Sequence, residues 1–483
     1  MAHGTVTLKF YDAEGRGREL SPGRARAVMH GNGGSDSDAL LDARNLQVLQ
    51  GYPLYASGSH LRFDLPGRPA AFAVNWPTSQ GFSTVVLDDG GQGFRTGATV
   101  VFNHQAARDA DRRLRDALAR RPDHVKSEVF TKAYRTARSE LARADHATTD
   151  ADRGKHGQRA LNALDSAYGQ MLQEYGPRYA KAHTKQPWTG LTVADSAAHK
   201  EWAPLAKRLT APHGWVRIVF DPDVDHDSSI PRRYREAVEA AHAAGLKVLG
   251  QPVDSTYASG HGHPGLGTRK GYLARIKRYV DAFPGIEAWE VGNEVNGCWT
   301  DSRTDADGNC TGKLLPADDR MRNKVADAAA YVRATRPRSQ VVLTLYWQLG
   351  TTDPQWSVFN WARANLPARV RADIDTVLLS TWLEDAPMGL AFDQVMNQLG
   401  AEFPGQRTGL GELGYWNQDT SKFYWAFDKD DPAEGRRQVA ARYYAAALGY
   451  RFGVGGTFWW YFAQEMPRDK RLRAAVREVT DRL

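Results

Sequence analysis

IEAWEVGNEV, at residues 286–295, joins an apolar strand-like run to a polar ending. Its first six letters have the composition of a buried strand, and Gly-Asn-Glu follows them. An acid at the mouth of an apolar strand is costly to bury unless a partner or a ligand uses its charge. Gly292 would let a ligand or another backbone approach closely. The stretch therefore predicts the end of a strand at which Asn293 and Glu294 have a chemical role.

Residues 187–483 contain further strand-like runs of this kind, which alternate with amphipathic helical stretches. The predicted strands are 188–193, 215–220, 247–252, 286–291, 341–346, 376–381, 408–411 and 456–460. Helical stretches between them include 232–244, 270–282, 320–335 and 436–451. Eight strands with intervening helices match a (β/α)₈ TIM barrel in number and length. The alternative is an open doubly wound sheet, but no glycine-rich phosphate loop follows the first strand, so a nucleotide-binding version has little support.

Two further regions precede this one, and the sequence therefore predicts a multi-domain chain. Residues 1–104 carry short strand-like runs separated by turn-rich stretches, which is typical of a β-sandwich with a carbohydrate-binding or structural role. Residues 105–186 predict a helical connector, because apolar residues recur there at spacings of three and four, as in Phe130, Tyr134, Ala137 and Leu141. The polar stretch 145–157 is predicted to be a turn between helices.

Composition and charge indicate which classes of binding partner the chain is expected to have. The formal net charge is +7, yet the arginines are scattered rather than gathered in a block, which argues against nucleic acid. The chain has no run of 18 apolar residues, so we expect no membrane span. MAHGTVTLKF lacks the basic and apolar parts of a signal peptide and is interpreted as the start of a mature protein.

The chain has two cysteines, Cys298 and Cys310, which lie twelve positions apart in one predicted loop. A short closed loop suits a disulfide, and a disulfide predicts a secreted, extracellular protein. Two unrelated free thiols are the alternative.

Two carboxylates are predicted to lie on the rim of the barrel. Glu294 follows the fourth predicted strand, and Glu412 follows the seventh in TGLGELG, residues 408–414. In such barrels the working groups lie at the C-terminal ends of the strands. Two carboxyl groups on one rim suit glycoside hydrolysis: one gives a proton to the leaving oxygen, and the other attacks or stabilises the anomeric carbon.

This combination resembles the clan A glycoside hydrolases, such as families 5 and 39 and, more loosely, family 10. The resemblance covers about residues 188–483 and rests on strand order rather than long identity. It implies that Glu294 is the general acid/base and Glu412 the nucleophile. It also implies that Asn293 binds the sugar 2-hydroxyl and that Trp460 stacks beneath the sugar. Arg217, on strand two, would lie near Glu412 and keep it ionised.

Other rim residues are weaker candidates for substrate binding. Strand alternation does not decide between Trp459 and Trp460 as the platform under the sugar. Many clan members carry His or Tyr at the end of strand six, whereas this chain reads STWLED at residues 380–385. We predict that Trp382 and Glu384 contact the sugar instead, with Asp254 after strand three and Trp299 on the aglycone side.

These observations predict a retaining glycoside hydrolase that cleaves an oligo- or polysaccharide, β-linked by preference. No metal or organic cofactor is expected, although the acidic loops 221–227 and 301–309 contain oxygen ligands of the kind calcium takes. A transglycosylase with the same carboxylate pair is one alternative, and a non-catalytic carbohydrate-binding barrel is another. The sequence leaves the sugar, the linkage and the oligomeric state open.

Overall fold

The computed structural model describes residues 4–30, 38–194, 199–225, 229–305, 310–348, 353–383, 386–415 and 431–483. Within these ranges, no helix has both the length and the apolar character that a membrane crossing requires.

Two four-stranded sheets occupy the N-terminal region. Their strands are β1 Thr5–Lys9, β2 Asp38–Asp42, β3 Val48–Gly51, β4 Tyr55–Ser57, β5 His60–Asp64, β6 Ala70–Thr78, β7 Gly81–Leu87 and β8 Thr99–Val101, and the helix α1 is Pro22–His30. The strand orders are β4-β5-β1-β8 and β3-β2-β6-β7. Phe63 of the first sheet stacks on Phe72 of the second, with ring centroids 5.3 Å apart. The predicted strands are therefore present, while a β-sandwich that forms a domain of its own remains a prediction.

Three long helices follow, namely α2 Phe102–Ala119, α3 Glu128–Asp145 and α4 Asp150–His183. The predicted turn at 145–157 is too long, because α4 already begins at Asp150. Thr149 caps this helix by accepting from the backbone N–H of Asp152, and both acids favour the helix N-terminus. Gly154 lies so close to the ring of Tyr11 that an added Cβ would be 2.3 Å from it. Gly154 therefore allows this helix to pack closely against the N-terminal region.

A closed barrel forms the C-terminal region. Its strands are β9 Trp188–Val193, β10 Gly214–Val219, β11 Lys247–Gln251, β12 Ala288–Gly292, β15 Gln340–Tyr346, β16 Thr376–Trp382, β17 Arg407–Gly414 and β18 Gly453–Trp459. Every neighbouring pair is parallel, and β18 closes the ring on β9. A short hairpin, β13 Ser302–Thr304 and β14 Cys310–Leu314, lies outside the ring. The predicted (β/α)₈ barrel is confirmed, and the open sheet is excluded.

Helices connect the barrel strands in the manner that the sequence predicts. They are α5 His199–Thr210, α6 Arg232–Ala243, α7 Arg269–Ala282, α8 Cys298–Asp301, α9 Met321–Thr335, α10 Val358–Asn365, α11 Ala368–Ala372, α12 Phe392–Glu402, α13 Pro432–Ala446, α14 Phe462–Glu465 and α15 Lys470–Thr480. The barrel strands are buried along nearly their whole length, as expected for parallel strands covered by helices.

The three regions share one continuous hydrophobic cluster among the described residues. Buried ion pairs also join them. Asp165 of α4 accepts a 2.8 Å hydrogen bond from Arg442 of α13. Asp393 of α12 accepts from Arg120, at 2.5 Å, and from Arg121, both just beyond the end of α2 or at its C-cap. The division into domains 1–104, 105–186 and 187–483 remains a prediction, since the packing between the regions is continuous.

Candidate active site

Three buried side chains meet at the C-terminal ends of β12, β16 and β17. Glu294 lies two residues beyond β12, Ser380 belongs to β16, and Glu412 belongs to β17. The Ser380 hydroxyl lies 2.5 Å from Oε1 of Glu294 and 3.2 Å from Oε2 of Glu412. The separation of those carboxylate oxygens therefore cannot exceed the sum of these two distances. The two acids that the sequence singles out do face each other across one barrel mouth.

Glu412 is surrounded by donors. Its Oε1 accepts hydrogen bonds of 2.8 Å from Nη1 of Arg217 and of 2.8 Å from Nδ2 of Asn293. Arg217 has no exposed surface and also forms a bidentate pair with Glu290, at 2.7 and 2.8 Å. Burial opposes the charge of Arg217, but Glu290 and Glu412 outweigh it and raise the guanidinium pKa. A permanently charged cation is thus fixed against the Glu412 carboxylate.

Glu294 has a different environment. It is 7% exposed, and its Oε2 accepts a 2.8 Å hydrogen bond from the Ser255 hydroxyl. Burial and the neighbouring charge of Glu412 raise its pKa well above the ordinary value of a glutamic acid. Its backbone has a φ of +48°, in the left-handed region that non-glycine residues rarely occupy. The two carboxyl groups are therefore unlike: Arg217 stabilises the charge of one, and nothing comparable contacts the other among the described residues.

Aromatic side chains lie beside this pair. Trp460 follows β18 directly, is partly exposed, and has the Arg217 guanidinium 5.2 Å from its ring centroid. The Trp382 ring meets Trp460 edge-on, with centroids 6.1 Å apart. Trp459 is fully buried, and its indole N–H donates to Glu465 at 2.7 Å. Of the two candidates for a platform, Trp460 is the one beside the carboxyl groups.

Asp254 and Trp299 lie at neighbouring positions on the same rim. Asp254 follows β11 and caps a short turn by accepting from the backbone N–H of Thr256 at 3.0 Å. Burial and the charge of Glu412 raise the pKa of Asp254, so Asp254 interacts electrostatically with Glu412. Trp299 packs edge-on against Tyr346 at the end of β15, with ring centroids 5.2 Å apart.

The remaining predicted residues have the following positions. Cys298 and Cys310 form a disulfide, which joins α8 to β14 and excludes the alternative of two free thiols. Glu384 lies outside the described residues.

Three contributors to the site were not singled out from the sequence. Glu290 did carry a signal, because a charged residue inside an apolar strand needs a buried partner, and Arg217 provides it. Ser255 and Ser380 carried none, since serines are common in turns and at strand ends.

Acids elsewhere on the rim are bound to other protein side chains. Asp225 accepts hydrogen bonds of 2.7 Å from Arg275 and of 2.7 Å from Tyr279. Asp223 lies 2.7 Å from His263. In the part of the chain that the structure describes, no group of three or more metal-ligating side chains comes together.

Comparison with known proteins adds the following. No protein-family model matches the chain, and no curated protein matches it either. Among solved structures, a thermostable mutant of a xylanase from Cellvibrio japonicus is similar at 15% identity and a TM-score of 0.44, covering 62% of this chain and 99% of that one. Xylanase 10B from Thermotoga maritima is similar at 13% identity and a TM-score of 0.42, over 64% and 98%. A GH10 xylanase from Bispora, solved with xylobiose, is similar at 13% identity and a TM-score of 0.42, over 63% and 99%.

The closed parallel barrel, established from its strand pairing, is the fold that the resemblance to clan A glycoside hydrolases implies. What the chain does with this barrel follows from the chemistry of its own rim.

Proposed function

We propose that the chain is a retaining glycoside hydrolase that cleaves a β-linked oligo- or polysaccharide by double displacement. The observation that carries the proposal is the pairing of Glu294 and Glu412 through one hydroxyl. Retaining enzymes place their carboxyl groups about 5–5.5 Å apart, whereas inverting enzymes leave about 6.5–9.5 Å for a water molecule. Distances of 2.5 and 3.2 Å to the shared Ser380 hydroxyl favour the retaining range.

In the first step Glu294 acts as the acid and Glu412 as the nucleophile. The raised pKa of Glu294 keeps a proton available for the leaving oxygen near neutral pH. Arg217 and Asn293 hold Oε1 of Glu412, which leaves Oε2 as the atom that attacks the anomeric carbon. A glycosyl ester forms on Glu412 while the glycosidic bond breaks.

In the second step the roles reverse. Glu294, now a carboxylate, takes a proton from water, and the water oxygen attacks the anomeric carbon. Glu412 departs as a carboxylate, with its Oε1 still held by Arg217 and Asn293. Stabilisation of that departing charge by a fixed guanidinium is the electrostatic assistance that such a step requires.

Aromatic and acidic residues around the pair supply the sugar-binding surface in this proposal. Trp460 stacks beneath the sugar at the cleaved bond, and Trp382 continues the surface beside it. Trp299 forms the aglycone side, and Asp254 binds a hydroxyl. Such a cleft suits an extended β-linked chain of a plant or bacterial wall glycan. The disulfide supports an extracellular location.

The first experiment is a screen of defined β-linked glycans, including β-1,4-linked xylan, glucan and mannan, with mass analysis of the products. On a substrate found in this way, Glu412→Gln abolishes turnover, and a 2-fluoro glycosyl fluoride of the matching sugar labels Glu412. Glu287→Gln is the matched control, because Glu287 lies before β12 and binds His242 at 3.3 Å, away from the mouth.

Three results would contradict the proposal: near-normal hydrolysis by Glu412→Gln, a label on another residue, or binding of glycans without turnover. Transfer to a sugar acceptor in preference to water would instead identify a transglycosylase with the same carboxylate pair.

A further inference from the structure

The Ser380 hydroxyl stands between two carboxyl groups but has a single hydrogen to give. It can accept one hydrogen bond and donate another at the same time. With both acids ionised, one of them would face a lone pair of the hydroxyl without a hydrogen between them. With one proton on the pair, both contacts become hydrogen bonds, because the protonated acid donates to Ser380 and Ser380 donates to the other acid.

The surroundings decide which acid holds that proton. Oε1 of Glu412 already accepts from Arg217 and Asn293, so its charge is stabilised before Ser380 contributes. Glu294 accepts one hydrogen bond from Ser255 through Oε2, and its Oε1 faces Ser380 at 2.5 Å. The proton therefore belongs on Oε1 of Glu294.

We propose that Ser380 is a proton switch between the two acids, a role that rests on the proposed hydrolase function. In the free enzyme it accepts from protonated Glu294 and donates to Oε2 of ionised Glu412. When Glu294 gives its proton to the leaving oxygen and Oε2 of Glu412 bonds to the anomeric carbon, the electron pair of the broken bond stays on the leaving oxygen. The Ser380 hydrogen then turns to the new carboxylate of Glu294, and deglycosylation turns it back.

The switch is a positioning device, since Ser380 itself neither gains nor loses a proton. It links the two protonation states, so that the pair carries one proton over a wider range of pH than two separate acids would. Ser380, near the end of the sixth barrel strand, thus provides one hydroxyl that contacts both carboxyl groups.

The sign of a pKa change tests the switch. Ser380→Ala removes two hydrogen bonds from the singly protonated pair but only one from the doubly ionised pair. The pKa of Glu294 is therefore expected to fall in this variant. A hydroxyl that did no more than donate to ionised Glu294 would hold that pKa down, and its removal would raise it.

Infrared difference titration of the free protein measures this change without any substrate. The carboxylic-acid C=O band is assigned to Glu294 by its loss in Glu294→Gln. A rise or no change of the titration midpoint in Ser380→Ala would overturn the proposal. Because the measurement needs no turnover, it stands apart from the glycan screen that tests the hydrolase function.

Kinetics give a second readout on any glycan that the wild type cleaves. For Ser380→Ala we expect kcat to fall about tenfold to a hundredfold, the usual cost of a hydrogen bond to a charged group. The pH profile is expected to narrow from its alkaline side, because the pKa of Glu294 falls. An unchanged width would contradict the switch.

Two variants act as controls. Ser380→Thr keeps the hydroxyl and is expected to restore the width of the profile and the titration midpoint. Thr381→Val removes a buried hydroxyl from the next position of β16, one with no partner among the described residues, and is expected to change neither. If Ser380→Ala fails to fold, Ser380→Cys replaces it, because a thiol is a weak donor of similar shape.

Discussion

Replacing Arg217 by methionine is expected to lower the free energy of unfolding substantially. The guanidinium is fully buried and makes three short contacts to two buried carboxylates, Glu290 and Glu412. Methionine has a comparable length but no charge, so both carboxylates lose their cation. Breaking a buried ion pair by removing one partner costs about 3–5 kcal/mol, because the other charge stays buried without compensation. We expect a loss of that size at neutral pH.

Chemical denaturation followed by intrinsic fluorescence measures the loss, and the same titration at several pH values adds a diagnostic trend. The difference from wild type should shrink as the pH falls, since protonated carboxyl groups no longer carry an unpaired charge. Arg217→Met combined with Glu290→Gln should recover about half of the loss or more, because two of the three contacts run to Glu290.

Arg232→Met is the matched control for this experiment. Arg232 is largely exposed and pairs with Glu236 one helical turn away, at 2.7 Å. Exposed pairs of this kind contribute at most about 0.5 kcal/mol. Arg217→Met with the stability of this control, or a double variant less stable than Arg217→Met alone, would refute a buried cation shared by Glu290 and Glu412.

Three further outcomes are expected. The value of kcat/KM should fall as the pH rises through the raised pKa of Glu294, because the ionised acid has no proton for the leaving oxygen. A pH–rate profile measures this fall, and an alkaline limb that persists in Glu294→Gln would contradict it. Trp460→Ala should raise KM about three- to tenfold through loss of a stacking surface, measured on an oligosaccharide substrate, and an unaltered KM would remove this residue from the cleft. Asp393→Asn should lower the free energy of unfolding by about 3–5 kcal/mol, since Arg121 is left buried without its carboxylate. The kcat of the folded protein should stay the same, and a denaturation midpoint equal to that of the wild type would refute the stability prediction.

The barrel was predictable because its strands are continuous apolar runs separated by amphipathic helices. The predicted strand 341–346 ends at the same residue as β15, and the bounds of the other seven predicted strands agree with the observed strands within a few residues. The exception among the helices was the start of α4, because the polar stretch 145–157 predicted a turn, whereas Gly154 and Gly157 lie within the helix. Their function is close packing against Tyr11 and His104, which depends on elements far away in sequence. Local composition does not contain that information.

The site was predictable to the extent that it lies at strand ends. Strand order placed Glu294 and Glu412 on one rim, and the resemblance to clan A glycoside hydrolases added Asn293 and Arg217. In the structure Arg217 and Asn293 both bind Glu412, and Ser380 lies between Glu412 and Glu294. The choice between Trp459 and Trp460 could not be made from alternation, because the pairing of β18 with β9 shifts register after Gly456. Such a bulge reverses the inward and outward sides and leaves no clear trace in the sequence.

The ion pairs Asp165–Arg442 and Asp393–Arg121 also bear on how this polypeptide could be shortened or recombined. Each links a residue that precedes residue 187 to a helix that follows it. A truncated chain starting at residue 187 would lose the carboxylate that Arg442 binds and the cation that Asp393 binds, together with the apolar faces around them. A stable barrel without the first 186 residues would therefore require a redesign of the surfaces of α12 and α13 that the deletion exposes.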